Sequence, residues 1–230
     1  METMTRRSWL ATLGLAPALG GAAAWFESKG LNRAEASGRR LSPRERIQRN
    51  HLPNVELVTH EEHKVYFYDD LVKDKKVVIN FMYAQCEGIC VPVTTNLVKL
   101  RKMMGDRVGH DIFFYSITLK PEEDSPEALR HYAEMHHAGP GWLFLTGHPK
   151  DIEVLRRGLG YFYKDPADDA DKSNHIGMLR YGVEAKMRWA ACPGMANPQH
   201  ILRTILWDLD APELPKAQST ESGFAQGERT

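Results

Sequence analysis

Val77-Val78-Ile79-Asn80-Phe81-Met82-Tyr83-Ala84-Gln85-Cys86-Glu87-Gly88-Ile89-Cys90-Val91-Pro92 is the stretch that decides the fold. Residues 77–82 are rich in β-branched and aromatic residues, with Asn80 the one polar interruption, and predict a buried strand. Across 91–104, Val93, Leu97, Leu100, Met103 and Met104 recur at helical spacing, and Gly105 supplies a C-terminal stop. Cys86 and Cys90 therefore fall where a strand hands over to a helix. Backbone N–H groups are unpaired there and the helix dipole is positive, so a thiolate is favoured over a thiol. If both lie on one helical turn, their spacing puts the two sulfurs on the same face.

Working outward, residues 55–59 and 64–68 read as strands of an N-terminal hairpin around His60-Glu61-Glu62-His63. The two histidines there read as exposed polar residues rather than ligands. Residues 112–118 predict another apolar strand. Ser125-Pro126-Glu127 opens a helix running to about 137, with an N-cap, a first-turn proline and an acid near the dipole. Residues 142–146 give a third buried strand, and 150–159 a short helix closed by Gly160. This strand–helix alternation implies an α/β fold with helices on the faces of a sheet.

The acidic run 165–174 fails as a calcium loop, because Arg180 stands where the bidentate glutamate would fall, and it reads as a solvated loop. A late hairpin is expected from 175–182 and 187–191. Asn197-Pro198 then caps a last helix with Ile201, Ile205, Leu206 and Leu209 on its apolar face. Residues 211–230 lack periodicity and are expected to be disordered.

Lys+Arg and Asp+Glu each number 30, which with no basic–aromatic pattern argues against nucleic acid. At 230 residues and 42% hydrophobic content the chain can bury one sizeable core. Three cysteines are too few for a disulfide-stapled fold. Thr5-Arg6-Arg7-Ser8-Trp9-Leu10, followed by a weakly apolar run to Ala24, reads as a twin-arginine export signal over 1–26. Ala22-Ala23-Ala24 would suit cleavage, while 9–26 approaches the length of a membrane anchor. Either way the working domain, 51–210, is expected to be exported to an oxidising, periplasmic setting. Residues 27–50 are polar and basic and read as a linker.

A cysteine pair at such a junction can exchange a disulfide, hold a soft metal or be inert core. Three residues separate the cysteines, not the two of the common redox motif. The ordered set of hairpin, strand, Cys86-Glu87-Gly88-Ile89-Cys90, Ser116-Ile117-Thr118-Leu119-Lys120-Pro121-Glu122-Glu123-Asp124-Ser125 and a histidine opening the late hairpin resembles the Sco/SenC family. The resemblance covers residues 53–209. It implies a thioredoxin-like fold, with a central mixed sheet flanked by helices. It also implies a copper site, for Cu(I) or Cu(II), made by Cys86, Cys90 and His175.

The implied role is a metallochaperone rather than an enzyme. It would deliver copper to a cuproprotein such as the binuclear copper centre of cytochrome c oxidase, or maintain the thiols of that centre with a thiol reductant as partner. Two thiolates and an imidazole suit both copper states and leave an open edge, unlike a closed zinc site. The rival is a thiol–disulfide oxidoreductase or peroxiredoxin-like enzyme in which Cys86 attacks and Cys90 resolves. A redox or copper sensor is a third option. Cys192 and Met195 form a further soft pair, either auxiliary ligands or an ordinary loop cysteine beside a tight turn.

Overall fold

The computed structural model describes residues 40–86, 88–172 and 176–212. The expected twin-arginine segment, the first part of the linker, His175 and most of the tail lie outside the described residues. The folded unit begins at Leu41.

In chain order its elements are α1 (Pro43–His51), β1 (Glu56–Thr59), β2 (Lys64–Tyr66), a wide helical turn (Phe67–Val72), β3 (Lys76–Met82), α2 (Cys90–Met104), β4 (Ile112–Thr118), α3 (Pro126–Met135), β5 (Trp142–Gly147), α4 (Pro149–Gly158), α5 (Pro166–Ala170), β6 (Met178–Val183), β7 (Arg188–Pro193) and α6 (Pro198–Leu209). The seven strands form one mixed sheet in the order β2-β1-β5-β4-β3-β6-β7. This is the thioredoxin-like α/β arrangement expected from the sequence.

The sheet is built around β3, β4 and β5, which are parallel. The β1–β2 hairpin joins one edge through β5, and the β6–β7 hairpin joins the other through β3, both antiparallel. Right-handed crossovers between parallel neighbours put α2 and α3 on one face. There the hydroxyls of Thr94 and Tyr132 meet at 2.9 Å, and α6 packs beside α2. The chain then crosses from β5 to β6 over the opposite face, which α4 and α1 cover.

Asn80, the polar break in β3, is 3% exposed and needs a partner. It faces Ser116 across the β3–β4 ladder. The Ser116 hydroxyl donates to Asn80 Oδ1 at 2.7 Å and accepts from Trp142 Nε1 at 2.9 Å. One buried chain thus ties the three parallel strands, and the asparagine fixes their register.

Two parts of the chain differ from their compositional reading. The basic stretch assigned to a linker up to residue 50 contains α1. Ser42 accepts the Glu45 N–H and the Glu45 carboxylate accepts the Ser42 N–H, a complete capping box with Pro43 in the first turn. Arg44 then reaches Glu184, which is fully buried and also receives the Tyr68 hydroxyl and the Asp74 N–H.

The acidic run is not wholly solvated either. It contains α5, and Asp169 is buried against Arg156 in a two-pronged ion pair at 2.7 and 2.8 Å. A carboxylate so paired lies inside because its charge is matched.

Candidate functional site: a paired-thiol loop

β3 and β4 run in register to Met82 opposite Thr118, so the segments after both strands leave the sheet at the same edge. The first is the loop Tyr83-Ala84-Gln85-Cys86, turned by a bond from the Cys86 N–H to the Tyr83 carbonyl. The second brings Asp124, 1% exposed, beneath it. The Ala84 N–H donates to both Asp124 oxygens, at 3.2 and 3.1 Å, and the Thr118 hydroxyl donates to one at 2.5 Å. Lys120 lies 4.6 Å over the Tyr83 ring. Burial pushes the Asp124 carboxyl upward, against the hydrogen bonds that favour its charge.

Cys86 lies in the loop and Cys90 is the first residue of α2, so the two do not share a helical turn, yet their thiols hydrogen-bond. No disulfide joins Cys86, Cys90 or Cys192. No side chain caps α2. The backbone N–H groups of Gly88 and Cys90 favour the Cys86 thiolate. Burial pushes the Cys86 thiol up. The bonds from the Cys90 thiol, those two N–H groups and the Tyr83 hydroxyl outweigh it, so the net shift is downward. Cys90 moves the other way, raised by burial and by its bond to Cys86. Tyr83 is pushed up to about 12 by burial and by the same sulfur. The pair is electrostatically unequal, with Cys86 the more acidic thiol.

Described residues on either side of His175 in the sequence bear on this pair. On one side, the charge of Asp171 reaches the Tyr83 phenol. On the other, Gly177 lies directly against Ile89, between the two cysteines, and its carbonyl accepts the Gly194 N–H at 2.8 Å. Among the described residues, no group of three or more His, Cys, Asp or Glu side chains could hold a metal ion. The soft donors that could are Cys86 and Cys90.

Cys192 is not gathered with them. It sits in β7 opposite Leu179, buried, and burial together with the Asp208 charge raises its thiol to about 11. Met195 is exposed. His63 is exposed, whereas His60 is half-buried: its Nδ1 accepts the Phe144 N–H at 3.2 Å, and burial lowers its pKa. Sequence reasoning missed Tyr83, Asp124 and Gly177. Asp124, directly before the N-cap Ser125, stands in the quoted 116–125 run with no role of its own assigned.

The SCO1/SenC family model matches residues 45–205. An SCO2-like protein of Rickettsia conorii is 30% identical over 112 residues, 48% of this chain and 52% of the relative; the chain thus spans about half the length of that protein. Among solved structures, a SCO1/SenC family lipoprotein of Bacillus anthracis is 22% identical with a TM-score of 0.56, over 67% of this chain and 92% of that one. ScoI of Bradyrhizobium japonicum with copper bound gives 20% and 0.54, over 67% and 96%. BsSco, a member of the Sco family of cytochrome c oxidase assembly proteins in which a disulfide switch is identified, gives 20% and 0.55, over 68% and 91%. At these identities the solved structures establish the shared fold.

Proposed function

The chain belongs to the SCO1/SenC family, and on that premise we propose that it binds one copper ion through Cys86, Cys90 and His175 and passes it to a cuproprotein. The observation that supports this reading is the bond between the Cys86 and Cys90 thiols, with Gly177 packed on Ile89 between them. Gly177, two residues along the sequence from His175, packs against Ile89 between the two cysteines. Two sulfurs suit Cu(I), and an added imidazole admits Cu(II). Three ligands leave an edge from which the ion can depart, as a carrier requires.

The bound copper of the Bradyrhizobium protein supports copper as the cargo. Cytochrome c oxidase assembly, named for BsSco, supports a client carrying that enzyme's binuclear copper centre. The twin-arginine pattern supports work outside the cytoplasm, by an exported or N-terminally tethered domain. The test is metal analysis of the reduced full chain. One copper per chain is expected, none in a Cys86→Ser/Cys90→Ser variant, and strongly weakened Cu(II) binding with milder loss of Cu(I) in His175→Ala. Equal copper in wild type and the double variant overturns the reading.

A second reading rests on the opposite shifts of the two thiols, which suit disulfide exchange with Cys86 attacking and Cys90 resolving. Rapid insulin-type disulfide reduction without copper retention would favour it.

A further inference from the structure

The sheet ends in two unlike edge strands, β2 and β7. β2 is three residues long and opens on the exposed Lys64, short and charged as a guarded edge is. β7 is six residues long, and from Trp189 to Pro193 it carries no charged side chain. Its one charge, Arg188, is drawn off the strand. That guanidinium donates to the carbonyls of Asp208, Ala211 and Pro212 at 3.0, 3.1 and 3.1 Å.

The ladder fixes which backbone groups of β7 are free. In an antiparallel pair, alternate residues turn their N–H and C=O toward the partner strand and away from it. The Gly194 N–H bonds the Gly177 carbonyl at 2.8 Å, one step beyond the Met178–Pro193 pair. Counting back in register, Cys192, Ala190 and Arg188 bond to β6, while Ala191 and Trp189 turn outward. Arg180, opposite Ala191, obeys the same phase: its N–H points away from β7, to the Tyr161 hydroxyl at 3.0 Å. Among the described residues, no hydrogen bond uses the backbone N–H or C=O of Trp189 or Ala191. Ala191 is exposed, and Ala190 and Trp189 are half-buried.

These free groups are complementary to themselves. Let a second β7 run antiparallel to the first about a two-fold axis at Ala190. Trp189 then stands opposite Ala191 of the second copy, and Ala191 opposite its Trp189. Both are pairs of the type that exchanges two N–H···O=C bonds, so every outward donor and acceptor of the two residues is used. At the axis Ala190 meets its own copy in a pair of the non-bonded type, where side chains come closest and a methyl group fits. The two Arg188 side chains fall at opposite ends of the pairing, so like charges do not face each other.

We propose that β7 is a self-association edge, and that two copies of this chain pair through it in an isologous dimer that joins their sheets into one. A second β7 is the occupant that the edge itself specifies, because one register satisfies both strands and sets an uncharged strand against an uncharged strand. The paired stretch is short beside a permanent interface, so association is reversible and concentration-dependent. Neither copper nor the thiol pair takes part, and the proposal stands apart from the copper reading.

The test follows the metal-free full chain by sedimentation velocity from low micromolar to millimolar concentration. A phosphine keeps the cysteines reduced, so that no disulfide links the copies. A reversible monomer–dimer step is expected. Over the same range the Trp189 and Ala191 amides should gain protection from hydrogen exchange. Ala191→Pro removes an outward donor without touching the β6 ladder, and Ala191→Lys sets a charge on the edge. Each should weaken dimerisation at least about tenfold while the monomer melts near wild type. If the proline variant fails to fold, the lysine variant carries the comparison. A chain that stays monomeric throughout, a dimer that survives the substitutions, or Trp189 and Ala191 amides already protected in the monomer overturns the proposal.

Discussion

Gly177 has no room for a side chain because of Ile89: a Cβ built on it would stand 2.3 Å from Ile89 Cδ1. The strand-entry segment that follows His175 and the loop between the two cysteines are therefore one packed unit. Gly177→Val should force Ile89 aside and cost about 1–3 kcal/mol of stability, with a larger proportional loss of Cu(II) binding. Gly177→Ala should be milder, since the terminal methyl of Ile89 can turn away. Calorimetric melting and copper titration of both variants check this. Unchanged copper binding in the valine variant would separate the two segments functionally.

The unequal thiols make a kinetic prediction. Cys86 should be alkylated by iodoacetamide faster than Cys90 or Cys192, because its thiolate is favoured and theirs are disfavoured. Its rate should rise with pH below the ordinary thiol range. Peptide mass spectrometry across pH 6–9 reads this, and Cys192 reacting first would contradict it.

Asp169 and Arg156 supply an acid-sensitive tie beside the same loop. The Arg156 guanidinium holds the Asp169 carboxyl far below its usual range. A depressed carboxylate stabilises the fold above its unfolded pKa, and that contribution fades as pH falls through the folded one. Asp169→Asn leaves the buried Arg156 with only Glu153 as a carboxylate partner, at 2.7 Å, and should cost about 2 kcal/mol near pH 7, less than breaking a buried pair that has no other partner. The gap from wild type should narrow steadily below about pH 4. Denaturant melts at pH 7, 4 and 3 test the sign, and a gap that widens in acid would refute it.

α1 should behave as part of the domain. Arg44→Ala strips the Arg44 ion pair from Glu184 and should cost about 2 kcal/mol. That is less than a fully buried pair costs to break, because Arg44 is 42% exposed. Urea melts of the variant measure it. A change within error would return residues 43–50 to the role of a tether.

The sequence made the alternation of strands and helices legible because each element carries its own period and cap. Ser125 and Asn197 accept the N–H groups expected of N-caps. The meeting of Cys86 and Cys90 was legible for a similar reason, since it is local along the chain, although the loop and not the helix carries Cys86. What stayed hidden depends on distant partners. α1 has a readable capping box, but net charge masked it and its anchor, Glu184, lies 140 residues away. Asp169 looks solvated until Arg156 is placed beside it. Asp124 reaches the Ala84 N–H only because β3 and β4 pair in parallel register. The outward turn of the Trp189 and Ala191 backbone is set only by the β6–β7 ladder.

The antiparallel seam that sets Ile79 against Arg180 joins the strand before the cysteines to a strand laid down late in synthesis. Until that C-terminal hairpin docks, the nascent chain carries the cysteine pair without the Gly177 contact on Ile89. In an oxidising compartment premature cross-linking competes with folding during that interval, and sequence-distant pairing of this kind is slow to form. Under the proposed export, where the polypeptide completes its fold, before or after translocation, governs whether it arrives as a dithiol.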